Sequence, residues 1–158
     1  MEASNLLEEQ KNSLVISIDA MGGDKGPTVI IDGIVKSLLK HPDTFFIIHG
    51  NKENLSHLIG KQSNIKSKCT IVHCKEVVTM DDKPSQVIRN GSNTSMWSTI
   101  ESVKQKKASI AISCGNTGAL MALSMVRLRK LPGVIRPAIA CLWPSKNKHG
   151  LNLSLIHI

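Results

Sequence analysis

The fold is indicated by residues 109–122, which read Ser-Ile-Ala-Ile-Ser-Cys-Gly-Asn-Thr-Gly-Ala-Leu-Met-Ala. The apolar run at 109–113 is typical of a buried strand, and the glycines that follow predict a tight turn. A helix is predicted from about 117 to 130; it is apolar on most faces between 119 and 126, so we expect it to be deeply buried. Strand, glycine-rich turn and helix in this order form the unit of a parallel sheet.

The same order recurs along the chain. Strands are predicted at 14–19, 44–49, 69–73 and 137–142, and helices at 28–39, 53–59, between 84 and 91, and at 94–107. Strands that alternate with helices predict an α/β fold of three layers, a mostly parallel sheet with helices on both faces. Ligands of such sheets bind beyond the carboxyl ends of the strands, where both glycine-rich loops of this chain are expected.

Composition fits one such domain. The 158 residues are 41% hydrophobic, and residues 1–12 lack periodicity and are expected to form a flexible extension before a domain at 13–150. The net charge of +8, from 20 Lys and Arg against 12 Asp and Glu, favours an anionic partner. Nucleic acid is disfavoured, because the basic residues are scattered and the two Trp and two Phe form no stacking platform.

The cysteines and histidines indicate no dedicated site. Cys69, Cys74, Cys114 and Cys141 lie in or beside apolar runs and are interpreted as buried thiols, which favours a reducing cytoplasm. The six histidines show no metal-ligand spacing and are interpreted as surface or packing residues. Residues 1–13 do not resemble a signal peptide, and no apolar run approaches the roughly 20 residues that span a bilayer.

The loop at 113–118 has the features of an anion site. The first turn of a helix offers unpaired N–H groups; Gly115 and Gly118 allow close approach to a ligand, while Ser113, Asn116 and Thr117 add polar groups. The alternative is that Asn116 or Thr117 caps the helix and the glycines ease a turn. Cys114 has no partner base in view and is a weak candidate nucleophile.

Two other segments carry charge. In the loop after the first strand, Asp19, Gly22, Gly23 and Asp24 would orient a substrate, or Asp24 would cap the next helix; two carboxylates are weak evidence for metal, and none is predicted. Further on, Lys83 and Arg89 are candidates for one positive helical face aimed at an anion, the alternative being ordinary solvated surface.

Three motifs together resemble the phosphate acyltransferases of bacterial phospholipid synthesis, the PlsX family. They are Ile-Asp-Ala-Met-Gly-Gly-Asp at 18–24, Met-Asp-Asp-Lys-Pro-Ser at 80–85 and Ser-Cys-Gly-Asn-Thr-Gly-Ala-Leu-Met-Ala at 113–122, supported by Leu-Pro-Gly at 131–133 and Arg-Pro-Ala at 136–138. The resemblance covers about residues 13–145 in order. It implies a Rossmann-like fold similar to phosphate acetyltransferases and the isocitrate dehydrogenase type.

The resemblance also implies an activity: transfer of an acyl group from acyl-carrier protein to inorganic phosphate, without metal or nucleotide cofactor. Such proteins are typically homodimers of the cytoplasm that contact the membrane peripherally. In this interpretation the N–H groups of 115–118, with Asn116 and Thr117, hold phosphate or the oxyanion. Lys83 and Arg89 add positive charge, and the loop at 19–24 forms the opposite wall. We expect Asn116→Ala to reduce turnover while leaving thermal stability near normal.

The end of the chain departs from the resemblance. The family continues beyond residue 150 through further strands and helices, so we expect this chain to be a truncated N-terminal portion. Residues 151–158 alternate like a strand without a covering helix. They are interpreted as a non-native tail, the alternative being an edge strand that ends the domain.

Three other functions stay open. An acyl-CoA-using phosphate acyltransferase would share the same loops. A nucleotide-binding Rossmann domain is weakly supported, because the first loop lacks Gly-x-Gly-x-x-Gly and the second strand ends at His49-Gly50 instead of an acid. A non-catalytic protein would bind a partner through the basic surface, and the last alternative is that the truncated chain is an inactive fragment.

Overall fold

The computed structural model describes residues 13–135, 138–144 and 151–156. The described residues form two compact units, one that ends at Leu128 and one that begins at Arg129. In the first unit, four strands form a sheet: β1 Val15–Asp19, β2 Phe45–Gly50, β3 Cys69–His73 and β4 Ile110–Ser113. Their order is β3-β2-β1-β4, and every pairing is parallel. The predicted α/β fold with a parallel sheet is confirmed.

The described part of this unit has five helices: α1 Gly26–Lys40, α2 Lys52–Gly60, α3 Pro84–Asn90, α4 Ser95–Lys104 and α5 Thr117–Leu128. Two 3-10 helices, Ser63–Lys68 and Gly91–Asn93, precede β3 and α4. The local sequence explains where several of these helices begin. Pro27 lies in the first turn of α1, the side chain of Asn51 accepts the N–H of Asn54 at the start of α2, and the Thr94 hydroxyl accepts the N–H of Trp97 at the start of α4.

Helices cover both faces of the sheet. On one face, Ile18 and Ile48 of the sheet pack with Ile34 of α1 and Leu55 of α2, all at most 6% exposed. On the other face, α4 lies over β1 and β2, and the Ser17 hydroxyl donates to the Thr99 carbonyl at 3.0 Å. A second apolar cluster joins α3, α4 and α5 through Val87, Met96, Ile100, Ala119 and Leu123. The three-layer prediction is confirmed.

His49 is the centre of a buried polar network under α4. Its Nε2 lies 2.8 Å from the Ser17 hydroxyl, and its Nδ1 lies 2.8 Å from the Ser98 hydroxyl. The ring is fully buried, and this burial lowers its pKa to about 4. His49 is therefore a neutral packing residue that links β2 to β1 and α4.

Helix α5 differs from its prediction in length and burial. It ends at Leu128 and not near 130, because Arg129 has a φ of 68° and leaves the helical conformation. Only Ala119 and Leu123 of α5 are buried, whereas Met125 is 36% and Val126 is 52% exposed. The expectation of deep burial is wrong, since α5 packs on α3 and α4 through one face and leaves its last turns in contact with solvent.

Among its described residues, the second unit has two strands, β5 Ile139–Pro144 and β6 Leu151–Ile156, which pair antiparallel with Leu142 opposite Leu153. The prediction of a strand at 137–142 is correct in type. Its assignment to the parallel sheet is wrong, because β5 pairs with β6 in a separate sheet. Closely spaced strands commonly pair in this antiparallel way. The strand pattern at 151–158 is confirmed for 151–156, while 157–158 and the extension at 1–12 lie outside the described residues.

Candidate functional site

The two glycine-rich loops meet at the edge of the sheet where the strands end. β1 lies between β2 and β4 in the sheet. After β1 the chain forms β2 and β3 on one side of it, and then crosses to form β4 on the other side. Asp19, the last residue of β1, is paired in register with Ser113, the last residue of β4. The crevice beyond such a switch point is where open α/β sheets bind ligands.

A buried carboxylate joins the two loops. The Ser113 hydroxyl donates to Asp19 Oδ2 at 2.8 Å and accepts the N–H of Gly115 at 3.1 Å. Asp19 Oδ1 accepts the N–H groups of Met21 and Gly22, each at 3.2 Å. Because Asp19 is only 1% exposed, it lies beneath the loops and fixes their shape. We call this contact the Asp19–Ser113 bridge.

The loops approach each other closely because they contain glycine. A Cβ on Gly22 would lie 2.6 Å from Asp19 Oδ2 and 2.9 Å from the Ser113 hydroxyl oxygen. A Cβ on Gly115 would lie 3.2 Å from the Cα of Gly22. Gly23 has a φ of 98°, and its Cβ would lie 3.0 Å from the carbonyl oxygen of Cys114. These glycines let two backbones lie against each other where any side chain would separate them.

The start of α5 presents unpaired donors. Asn116 caps the helix, since its Oδ1 accepts the N–H of Ala119 at 3.0 Å. The N–H groups of Asn116, Thr117 and Gly118 find no acceptor within the described part of the chain. We call these three N–H groups the cradle. They lie at the positive end of the helix dipole, which attracts anions.

The Asn116 amide also holds a third segment at the site. Its Nδ2 lies 3.2 Å from the carbonyl oxygen of Thr79, 3.1 Å from that of Met80 and 2.9 Å from that of Asp82. The sequence did not reveal this contact, because the partners lie more than 30 residues away along the chain. With both ends of its side chain bonded and only 9% of Asn116 exposed, Asn116→Ala is now expected to reduce stability as well.

Lys83 and Arg89 are both exposed. Lys83 immediately precedes α3, and the following Pro84 contacts Gly118, whose Cβ would lie 3.2 Å from the proline Cγ. Arg89 lies in the last turn of α3. The two cations do not share one helical face as predicted, since only Arg89 is within the helix. In the described ranges neither forms an ion pair.

Asp24 forms none of the contacts that join the two loops in the described residues. It is exposed, and the capping alternative is wrong because the residue before α1 is Lys25, which forms no side-chain cap. The structure therefore brings together most of the predicted site residues and leaves three charged ones exposed. Those brought together are Asp19, Gly22, Gly23, Ser113, Gly115, Asn116, Thr117 and Gly118; those left exposed are Asp24, Lys83 and Arg89.

The thiols lie in different environments. Cys74 is buried and Cys69 is half-buried, and burial raises the pKa of Cys69 to about 11. Cys114 is exposed in the loop before α5, so its predicted burial is wrong; a turn residue that follows a strand end has no layer above it. These three thiols are free, and the side chain of Cys141 lies outside the described residues.

The described residues offer neither a metal-binding cluster nor a membrane-spanning helix. No group of three or more His, Cys, Asp and Glu side chains is arranged to hold a metal ion there. No helix in the same ranges is long and apolar enough to cross a membrane.

Comparison with known proteins places the chain among its relatives. The model of the family described as "Fatty acid synthesis protein" matches residues 14–155. Proteins named phosphate acyltransferase are similar to it: that of Jannaschia sp. (strain CCS1) is 56% identical over 154 residues, covering 98% of this chain and 42% of the relative. That of Paracoccus denitrificans (strain Pd 1222) is 58% identical over 144 residues, 91% of this chain and 39% of the relative.

The chain thus spans about two fifths of the length of the curated relatives it matches. The matched region contains all three sequence motifs and the whole of the candidate site. The chain belongs to the fatty acid synthesis protein family, the PlsX family that its motifs resemble.

Proposed function

We propose that the intact protein transfers a fatty acyl group from acyl-acyl-carrier protein to inorganic phosphate, giving acyl phosphate for phospholipid synthesis. The observation that carries this proposal is the cradle: three unpaired N–H groups at the start of α5, in the crevice beyond β1 and β4. Such a group of donors suits a phosphate or an oxyanion. The name of the relatives supports phosphate as acceptor, and the motif resemblance supports the carrier-protein donor.

The chemistry requires positioning more than a protein nucleophile. A phosphate oxygen attacks the thioester carbonyl carbon, and the new C–O bond produces a tetrahedral oxyanion. The C–S bond then breaks, and the carrier thiolate takes the proton of hydrogen phosphate. The products are acyl phosphate and the carrier thiol. Because phosphate itself attacks, fixed donors that orient it or stabilise the oxyanion provide the catalysis.

In this proposal the described residues have different roles. The cradle and the exposed Thr117 hydroxyl hold phosphate or the oxyanion. Lys83 and Arg89 add positive charge. The Asp19–Ser113 bridge keeps the loops in place, and Asn116 positions the segment that leads to Lys83 through its bonds to residues 79–82.

The wider setting is proposed from the resemblance. The intact protein would act in the cytoplasm as a homodimer, in peripheral contact with the inner face of the membrane, and use neither metal nor nucleotide. The two ligands are inorganic phosphate and the acyl-carrier protein. An acyl-CoA donor is the second candidate, because the cradle would serve either thioester equally.

The test measures acyl phosphate formed by the intact protein with phosphate and either acyl-carrier-protein or acyl-CoA thioesters. We expect turnover that depends on phosphate and a higher kcat/KM with the carrier protein; a preference for acyl-CoA would overturn the donor. Lys83→Met should raise KM for phosphate, whereas Lys61→Met, which removes an exposed lysine at the end of α2, should leave it unchanged. No phosphate-dependent turnover with either thioester would contradict the proposed function.

A further inference from the structure

A pocket of about 400 Å³ lies beside the cradle, between the segment that follows β3 and helix α3. Buried valines contribute to its lining, Val78 at 4% and Val87 at 6% exposure. Around them are the amides of Gln86 and Asn90. Polar and charged side chains therefore outnumber the valines, and the pocket offers hydrogen-bonding groups around an apolar floor.

The pocket and the cradle share a wall. Asp82 lines the pocket, and its carbonyl oxygen accepts a hydrogen bond from the Asn116 amide at 2.9 Å. Two residues further on, Pro84 contacts Gly118 of the cradle. A single stretch of chain therefore separates the two spaces.

The charge of the pocket is opposite to that of the chain. Its lining includes the carboxylates of Glu76 and Asp82, and none of the described residues that line it is basic, although the whole chain carries +8. Phosphate would be repelled here, so this is not a second phosphate site. The carboxylates disfavour an anionic ligand, whereas an uncharged ligand can donate hydrogen bonds to them and place an apolar part against the valines.

We infer that this pocket binds the pantetheine arm of the thioester donor. A pantetheine arm is uncharged along its length, carries two amide groups and a hydroxyl, and has a branched apolar segment. It also ends in the sulfur that bears the acyl group, which the reaction brings to the phosphate. The inference rests on the proposed function, and it gives that function a place for its second substrate next to the first.

Substitutions on α3 test the pocket in the intact protein. Gln86→Trp fills the pocket from an exposed position, and Ser85→Trp is the matched control, because Ser85 is exposed on the same helix but does not line the pocket. We expect Gln86→Trp to raise KM for the thioester at least about tenfold with KM for phosphate unchanged. Because both carriers share the arm, the rise should occur with acyl-carrier-protein and acyl-CoA thioesters alike. A rise with only one of them would place a carrier-specific contact here instead and overturn the inference.

Binding of S-octanoyl-pantetheine, measured by calorimetry without phosphate, separates this inference from the proposed function. If Gln86→Trp weakens that binding and Ser85→Trp does not, the pocket is the site of the arm even when no phosphate-dependent turnover is found. Asn90→Ala, which removes an amide without adding bulk, should weaken binding severalfold and covers the case in which the Trp variant fails to fold. Equal binding by the wild type and the folded variants would overturn the inference.

Discussion

Gly22→Ala is the substitution that the site geometry predicts most sharply. The added Cβ would lie 2.6 Å from Asp19 Oδ2, 2.9 Å from the Ser113 hydroxyl oxygen and 3.0 Å from the backbone nitrogen of Gly115. Neither Asp19 nor the backbone can yield freely, because Asp19 is 1% exposed and bonded through both oxygens. The methyl group therefore has to displace the Asp19–Ser113 bridge.

The magnitude follows from two costs. Overpacking of a close-packed region costs about 1–3 kcal/mol, and loss of a hydrogen bond to a charged group costs about 1.5–3 kcal/mol. Any movement that relieves the overpacking also weakens the hydrogen bonds of Asp19. We therefore expect a loss of about 3 kcal/mol in the free energy of unfolding. Weakened phosphate binding should accompany this loss, because the bridge positions the loop that leads to the cradle.

The chain offers a matched control in Gly33→Ala. Gly33 is exposed within α1, and its Cβ would meet no atom within 4 Å, so alanine should stabilise the protein by about 0.5–1 kcal/mol. Urea unfolding followed by circular dichroism gives both free energies, and calorimetry gives phosphate affinity. If Gly22→Ala were as stable as Gly33→Ala and bound phosphate normally, the close contact of the two loops would be refuted.

Three further predictions concern other parts of the first unit. Burial lowers the pKa of His49 from 6.5 to about 4, so between pH 4 and pH 6.5 the protein takes up a proton at His49 when it unfolds. The free energy of unfolding is therefore highest above pH 6.5 and falls by about 3 kcal/mol as the pH is lowered toward 4. Urea titrations of His49→Gln should lack this part of the slope, and an identical slope would contradict it. Arg127 donates through Nε and Nη2 to Glu101 Oε2, at 3.0 and 2.6 Å, and lies over the Trp97 ring; Arg127→Lys should cost about 1 kcal/mol in thermal unfolding, and no cost would show that the contact is unimportant. Cys114→Ala should leave turnover nearly intact, since phosphate is the nucleophile; loss of activity in a folded variant would assign a role to that thiol.

Local sequence patterns were sufficient for most of the sheet. The apolar runs predicted β1 to β4 and a mostly parallel sheet, but not the order of its strands, because each run is short, bounded by turn residues and followed by a helical pattern. Prediction failed for β5, where a strand pattern cannot reveal its partner: residues 139–144 pair with 151–156 and not with the parallel strands. It also failed for the burial of α5, since an apolar sequence does not show how many neighbours the helix has.

For the site, sequence predicted the loops but not the contacts between them. Glycine spacing and the strand ends identified 19–24 and 113–118, and the register of Asp19 with Ser113 brings these loops together. The hydrogen bonds from Asn116 to residues 79–82 had no local signal, because they join residues that only the fold makes neighbours. The same applies to His49, which occurs in an apolar strand but is bonded to serines of β1 and α4.

The most direct test of the central claim is a phosphate titration of the ¹⁵N-labelled intact protein, followed through its backbone amide resonances. If the cradle holds phosphate, the N–H signals of Asn116, Thr117 and Gly118 should show the largest saturable shifts, while that of Gly33 in α1 should stay constant. Saturable shifts centred elsewhere, or none at phosphate concentrations that support turnover, would contradict the assignment of the phosphate site to the start of α5.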